Sequence, residues 1–197
     1  MNRDGGGIGE QGDAVLRTAM PGHDGRSILW ITEDMALAES GAPHGAGLDT
    51  FGLAPERLVA VNVAHRRDLL WGMEEALRCR TVGIVIGEMR AGAIDGVAVR
   101  RLSLAAGESG ALALLLRATP PNDSSTAATR WVVGAAASAI AHGPGAPRFV
   151  AKLIRNRRGP VGSWILEWSD SDEQFILAAH AQPVAAPALD RPHRQVA

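Results

Sequence analysis

Ser27-Ile-Leu-Trp-Ile-Thr32 and Val82-Gly-Ile-Val-Ile86 decide the fold. Each is a short apolar run, bounded by Gly25 and Glu33-Asp34 in the first case and followed by Gly87-Glu88 in the second. Apolar runs of this length without polar alternation read as strands buried on both faces, the hallmark of a parallel sheet. Leu58-Val-Ala-Val-Asn-Val63 is a further β-branched run, after a Gly/Pro-rich connection over 40–57 with a helical turn near Leu48 to Leu53.

Helices separate the strands. Asp68 to Arg80 places Leu69, Leu70, Met73, Ala76 and Leu77 at helical spacing, with Glu74, Glu75 and Arg78 between them. Ile94 to Gly107 is a second helix, with Asp95 as N-cap and Gly107 or Gly110 near its end. Ala111 to Leu116 is a further strand, stopped by Pro120-Pro121. Alternating strands and helices predict a parallel sheet with right-handed crossovers.

The pattern then changes. Thr129 to Ala137, Arg148 to Asn156 and Trp164 to Trp168 are extended runs with no helix between them. Arg157-Arg-Gly-Pro160 joins the last two as an antiparallel hairpin. The expected class is α/β: a mostly parallel sheet flanked by helices, with an antiparallel C-terminal edge hairpin. Residues 27–179 form the domain, 1–26 a flexible glycine-rich arm and 180–197 a disordered tail.

Composition narrows the setting. A chain of 197 residues suggests one domain, able to bury roughly 70% of its unfolded surface. No apolar run approaches the ~20 residues of a membrane span. Cys79 is the single cysteine, which excludes an intrachain disulfide, and with no signal-peptide pattern at the start the expected compartment is the cytoplasm. Net charge is −1, so attraction to nucleic acid must come from a local patch. Of the 20 basic residues only Lys152 is a lysine, a bias that points to a GC-rich genome.

The order of runs resembles a RecA-like core, carried by Ile28-Leu-Trp-Ile-Thr-Glu-Asp34, Gly52-Leu-Ala-Pro-Glu-Arg-Leu58 and Leu70-Trp-Gly-Met-Glu-Glu-Ala-Leu77. More narrowly, the chain resembles the ImuA family, RecA-related accessory proteins of bacterial inducible mutagenesis. That likeness adds Val85-Ile-Gly-Glu-Met89, Ala113-Leu-Leu-Leu-Arg117, Ala127-Ala-Thr-Arg-Trp131 and Gly162-Ser-Trp-Ile-Leu-Glu-Trp168, over about residues 26–169. The resemblance implies a role in damage-induced, error-prone translesion synthesis. Its implied partners are an inactive Y-family polymerase homologue (ImuB), RecA and, indirectly, an error-prone replicative-type polymerase subunit.

A RecA-like ATPase needs G-x-x-x-x-G-K-[ST] ahead of the first helix, whose backbone amides, lysine and hydroxyl hold phosphate and Mg²⁺. The one candidate is Gly7-Ile-Gly-Glu-Gln-Gly12-Asp13-Ala14. Gly7 and Gly12 keep the spacing, but Asp13 stands where Lys is needed and Ala14 replaces the hydroxyl. The strand that should end in Asp ends in Gly87-Glu88, and Glu88 has no phosphate site to serve. Glu33 and Asp34 read as a polar strand exit or as an N-cap for the next segment. His23, His44, His65, His142, His180 and His193 show no metal spacing, and no G-x-S-x-G or H-E-x-x-H occurs. Cys79 reads as a small buried or half-buried thiol. No cofactor, metal or catalysis is expected; the alternatives are an unusual nucleotide site built on Asp13, Glu33 and Glu88, or a direct single-stranded DNA-binding module using Arg157 and Arg158.

Binding surfaces remain. Lys152, Arg155, Arg157 and Arg158 are the local basic cluster, with alternation setting Lys152 out of phase with Arg155 and the other two in the turn. They suit DNA phosphates, an acidic partner surface, or simple solubility of an edge; Arg90, Arg100 and Arg101 read as a solvated surface. Trp164 and Trp168 share one strand face, for packing on the sheet or anchoring a partner. Trp30 and Trp71 read as core or its edge.

Overall fold

The computed structural model describes residues 25–90, 92–118, 126–137 and 145–178. The arm with Gly7, Gly12, Asp13 and Ala14, and the tail 180–197, lie outside them.

The β-branched runs form the strands expected of them. Strand β1 (Ser27–Glu33) pairs in parallel with β2 (Leu58–Val63) and with β3 (Val82–Met89), and β3 pairs with β4 (Leu112–Arg117). The order β2-β1-β3-β4 puts the two most buried strands in the middle. Residues 84–89 of β3 are at most 1% exposed at Ile84, Val85, Ile86, Glu88 and Met89, as a central strand covered on both faces requires.

Helix α1 (Asp34–Ser40) follows β1 directly, where the sequence offered a strand exit or a cap, and α2 (Gly45–Thr50) fills the next connection. The His44 ring caps α2, Nδ1 accepting from the Gly47 amide at 3.2 Å. Helix α3 (Arg66–Leu77) buries Leu69, Met73, Ala76 and Leu77, and packs beside α4 (Gly96–Ser109) on the face of the sheet that carries Ile31, Val85 and Met89. Asp95 caps α4 as expected, Oδ1 accepting from the Val97 amide at 3.1 Å, and Gly110, at φ 68°, closes it with its amide donating to Ala106 O. Ile28, Trp30, Ile84 and Ile86 point the other way and pack with Leu48 of α2 and with Leu53.

The expected antiparallel edge is not an edge. Strands β5 (Thr129–Ala135), β6 (Arg148–Asn156), β7 (Gly162–Ser169) and the unforeseen β8 (Gln174–Leu177) form a second, separate four-stranded antiparallel sheet in that order. The β6–β7 hairpin is present within it, its turn held by Arg158 N donating to Asn156 Oδ1 at 3.0 Å. The hydrogen-bonding edge of β4 is not extended by these strands, so the architecture is α/β with two sheets. An aromatic cluster joins the layers: Phe51, just after α2, packs edge-on against Trp168 at 5.0 Å and stacks on Phe175 at 5.8 Å.

Candidate functional site

Ligand sites of open parallel sheets lie at the C-terminal ends of the strands. Here β1 ends in Thr32-Glu33 and β3 in Glu88-Met89, with Thr32 beside Glu88 in register. Neighbouring residues alternate between faces, so Trp30, Thr32 and Glu88 share one side of the sheet. The Trp30 indole donates from Nε1 to Glu88 Oε2 at 3.1 Å, and Glu88 is only 1% exposed. Burial pushes the Glu88 carboxyl above the ordinary glutamate range, with the Trp30 hydrogen bond and the nearby Ser40 hydroxyl pulling partly the other way. Glu88 Oε1 and Ser40 Oγ are both buried without a hydrogen bond of ordinary geometry, so Ser40 helps the carboxylate by proximity alone.

The remaining acids at this end are also engaged. Glu33, nearly buried, accepts the Arg90 amide on Oε2 at 3.2 Å, and the Arg90 guanidinium pairs with Glu39 of α1 at 2.8 Å. Asp34 opens α1, placing its charge at the positive end of the helix. Arg66 donates to Ala93 O at 3.0 Å and Arg117 to Gly92 O, strapping down the segment after β3. Gly92, at φ 143°, lies against the Arg66 guanidinium, which a Cβ would strike. These carboxylates close helix and loop onto the sheet. Among the described residues no group of three His, Cys, Asp or Glu could hold a metal ion.

The basic cluster is arranged differently from the alternation. The register breaks between Arg130 and Trp131, so that Val132 faces Lys152 while Arg130 faces Arg155. Arg130 and Val132 are two apart on β5, and cross-strand partners share a face. Lys152 and Arg155 are therefore brought to the same face, not opposite ones. Arg157 and Arg158 are exposed in the turn. Trp168 is packed, 3% exposed, against Phe51 and Phe175. Trp164 is half-buried and tilts against Trp131 at 5.8 Å, a neighbour that the sequence does not single out. Trp131 and Trp164 reach each other across the intervening strand β6, a contact that no single run of sequence displays.

Two other residues depart from expectation. Trp71 is 64% exposed on α3, beside Arg67 and Arg101. Cys79 is exposed, and the side chain and backbone of Thr81 hold its thiol below the ordinary cysteine range. The Thr81 hydroxyl lies 3.1 Å from Sγ.

No family model matches the chain. Protein ImuA from two strains of Caulobacter vibrioides is 30% identical over 156 residues, spanning 73% of this chain. The chain covers 61% of the length of those relatives. Among solved structures, a crystal structure of SulA from Pseudomonas aeruginosa superposes with a TM-score of 0.42 at 24% identity, over 53% of this chain and 82% of that one. Among the described residues no helix is long and apolar enough to cross a membrane. The stretches the chain shares with its curated relatives make it ImuA-like, at modest sequence identity.

Proposed function

We propose that this chain is a non-catalytic accessory factor of damage-induced, error-prone DNA synthesis, built on a RecA-like core and working by binding other proteins. The relatives named ImuA support the setting. The observation that carries the non-catalytic reading is Glu88. In a nucleotide-hydrolysing relative of this fold the carboxylate at that strand end must face solvent and metal. Here it is sealed beneath the Trp30 indole and biased toward its neutral form.

The partners this reading names are an inactive Y-family polymerase homologue and RecA, with an error-prone replicative-type polymerase subunit joining indirectly. Equilibrium titration with a fluorescent ATP analogue tests the chemistry: no saturation is expected through the micromolar range, with or without Mg²⁺. Micromolar, Mg²⁺-dependent binding overturns the reading in favour of a nucleotide site built around Asp13, Glu33 and Glu88. Deleting the gene tests the role, with a fall in mutation yield after ultraviolet damage expected; an unchanged yield sinks it.

A further inference from the structure

We propose that the hairpin end of the antiparallel sheet binds single-stranded nucleic acid, with the exposed guanidiniums on phosphate and the Trp131–Trp164 pair on the bases. Charge is the first observation. From Thr126 to Leu166 the sequence has six cations, Arg130, Arg148, Lys152, Arg155, Arg157 and Arg158, and no Asp or Glu. The segment is thus +6 in a chain of net −1, which leaves −7 for the remainder. Arg148 is neutralised by Glu167 at 2.9 Å. Lys152, Arg155, Arg157 and Arg158 make no ion pair among the described residues.

Placement is the second. The register break sets Lys152 and Arg155 on one face of β6, and Arg157 and Arg158 continue from them into the turn. The turn is rigid enough to present them: Arg157 N donates to Ala128 O at 3.0 Å, tying it to the start of β5. The cross-strand partners of Lys152 and Arg155, Val132 and Arg130, are two residues apart on β5, about 6.6 Å along the strand, close to the spacing of successive phosphates along an extended strand.

The aromatic pair decides between anionic partners. Trp131, on the edge strand, is 39% exposed. The Trp164 ring lies against Gly162, next to the turn, where a Cβ would come within 2.5 Å of the indole. The two rings, on the face opposite Lys152, tilt at 41° with centroids 5.8 Å apart. A strand bent round the hairpin end meets guanidiniums with its phosphates and indoles with its bases, the combination that serves sequence-tolerant single-strand binding. An acidic peptide would use the cations and leave the indoles idle. This inference is independent of the partner proteins proposed above.

The test is fluorescence anisotropy of a fluorescein-labelled 20-nucleotide oligo-dT with the full chain in 50–200 mM NaCl. Affinity should fall with salt at a log–log slope of about −2 to −3, the sum of about −0.7 per phosphate contact. Arg157→Glu with Arg158→Glu should weaken binding at least about tenfold and flatten that slope. Trp131→Ala should weaken it at least about fivefold with the slope unchanged, and Trp131→Phe should recover most of the loss. Circular dichroism melts confirm that each variant is folded, and Trp131→Leu, which keeps apolar bulk without a ring, serves as the variant if Trp131→Ala is not. No anisotropy change up to 100 µM protein, or binding unmoved by every variant, overturns the proposal. So does equal competition by poly-glutamate with no effect of Trp131→Ala or Trp131→Leu, which would make this an acidic-protein surface.

Discussion

Glu88 keeps a carboxyl where solvent does not reach, and stability must register it. The unfolded chain releases this proton near 4.5, its ordinary value, while the folded chain holds it to higher pH. Its favourable contribution is therefore fully present below about pH 4.5 and declines as pH rises toward the raised folded value. Glu88→Gln keeps an oxygen for the Trp30 indole and has no proton to lose. Urea melts at pH 7 should show the variant more stable than the parent, with the difference vanishing near pH 4; a pH-independent difference would contradict this account. Cys79 offers the opposite sign. With its thiol lowered by Thr81, native alkylation by iodoacetamide should proceed faster at pH 7.5 than for a model thiol, and Thr81→Ala should slow it two- to fivefold by raising the thiol toward its ordinary value.

At the scale of elements, two glycine and cap positions carry the packing. A Cβ on Gly87 would come within 2.3 Å of Met73 Sδ and 2.9 Å of Leu69 Cδ2, so β3 and α3 approach as closely as they do because that position is bare. Gly87→Ala should cost about 1–3 kcal/mol by overpacking, read from chemical denaturation. Asp95→Ala, by removing the cap of α4, should cost about 1 kcal/mol. The strands of the parallel sheet and the two long helices were legible because their apolar periodicity is strong. Helix α1 was not: seven residues make under two turns, too few to display a period. Strand β8 has four residues and no alternation to read. The phase of Arg155 was hidden for a different reason, since a register break is a property of two paired strands and leaves no mark in either one alone. The strand-end Glu88 was found by its place after an apolar run, but its indole partner, 58 residues earlier, was not.

For the whole molecule, the sequence suggested one sheet with an antiparallel border, and strands that pair among themselves instead look identical when read along the chain. What tells the two arrangements apart is long-range: Phe51 reaching Trp168 and Phe175. Phe51→Ala removes an edge-on and a stacked ring contact at once and should cost about 2 kcal/mol. It should also separate the unfolding of the layers, so that tryptophan fluorescence and far-ultraviolet circular dichroism no longer report one transition; coincident curves would mean the layers are coupled through other contacts.

The strand order also fixes a timetable. Strand β1 is made before its neighbours yet sits between β2 and β3, so during synthesis one side waits for β2 to emerge and the other stays unpaired until residues as far as Met89 have left the ribosome. Helix α3 is complete before that point, while the strand it must cover is still emerging. Until that moment Trp30 has no carboxyl to cap and the apolar stretch 28–31 is open to any passing extended chain. A nascent protein of this order is most exposed to misassembly in its first half, and a chaperone that holds short apolar segments would find its target there.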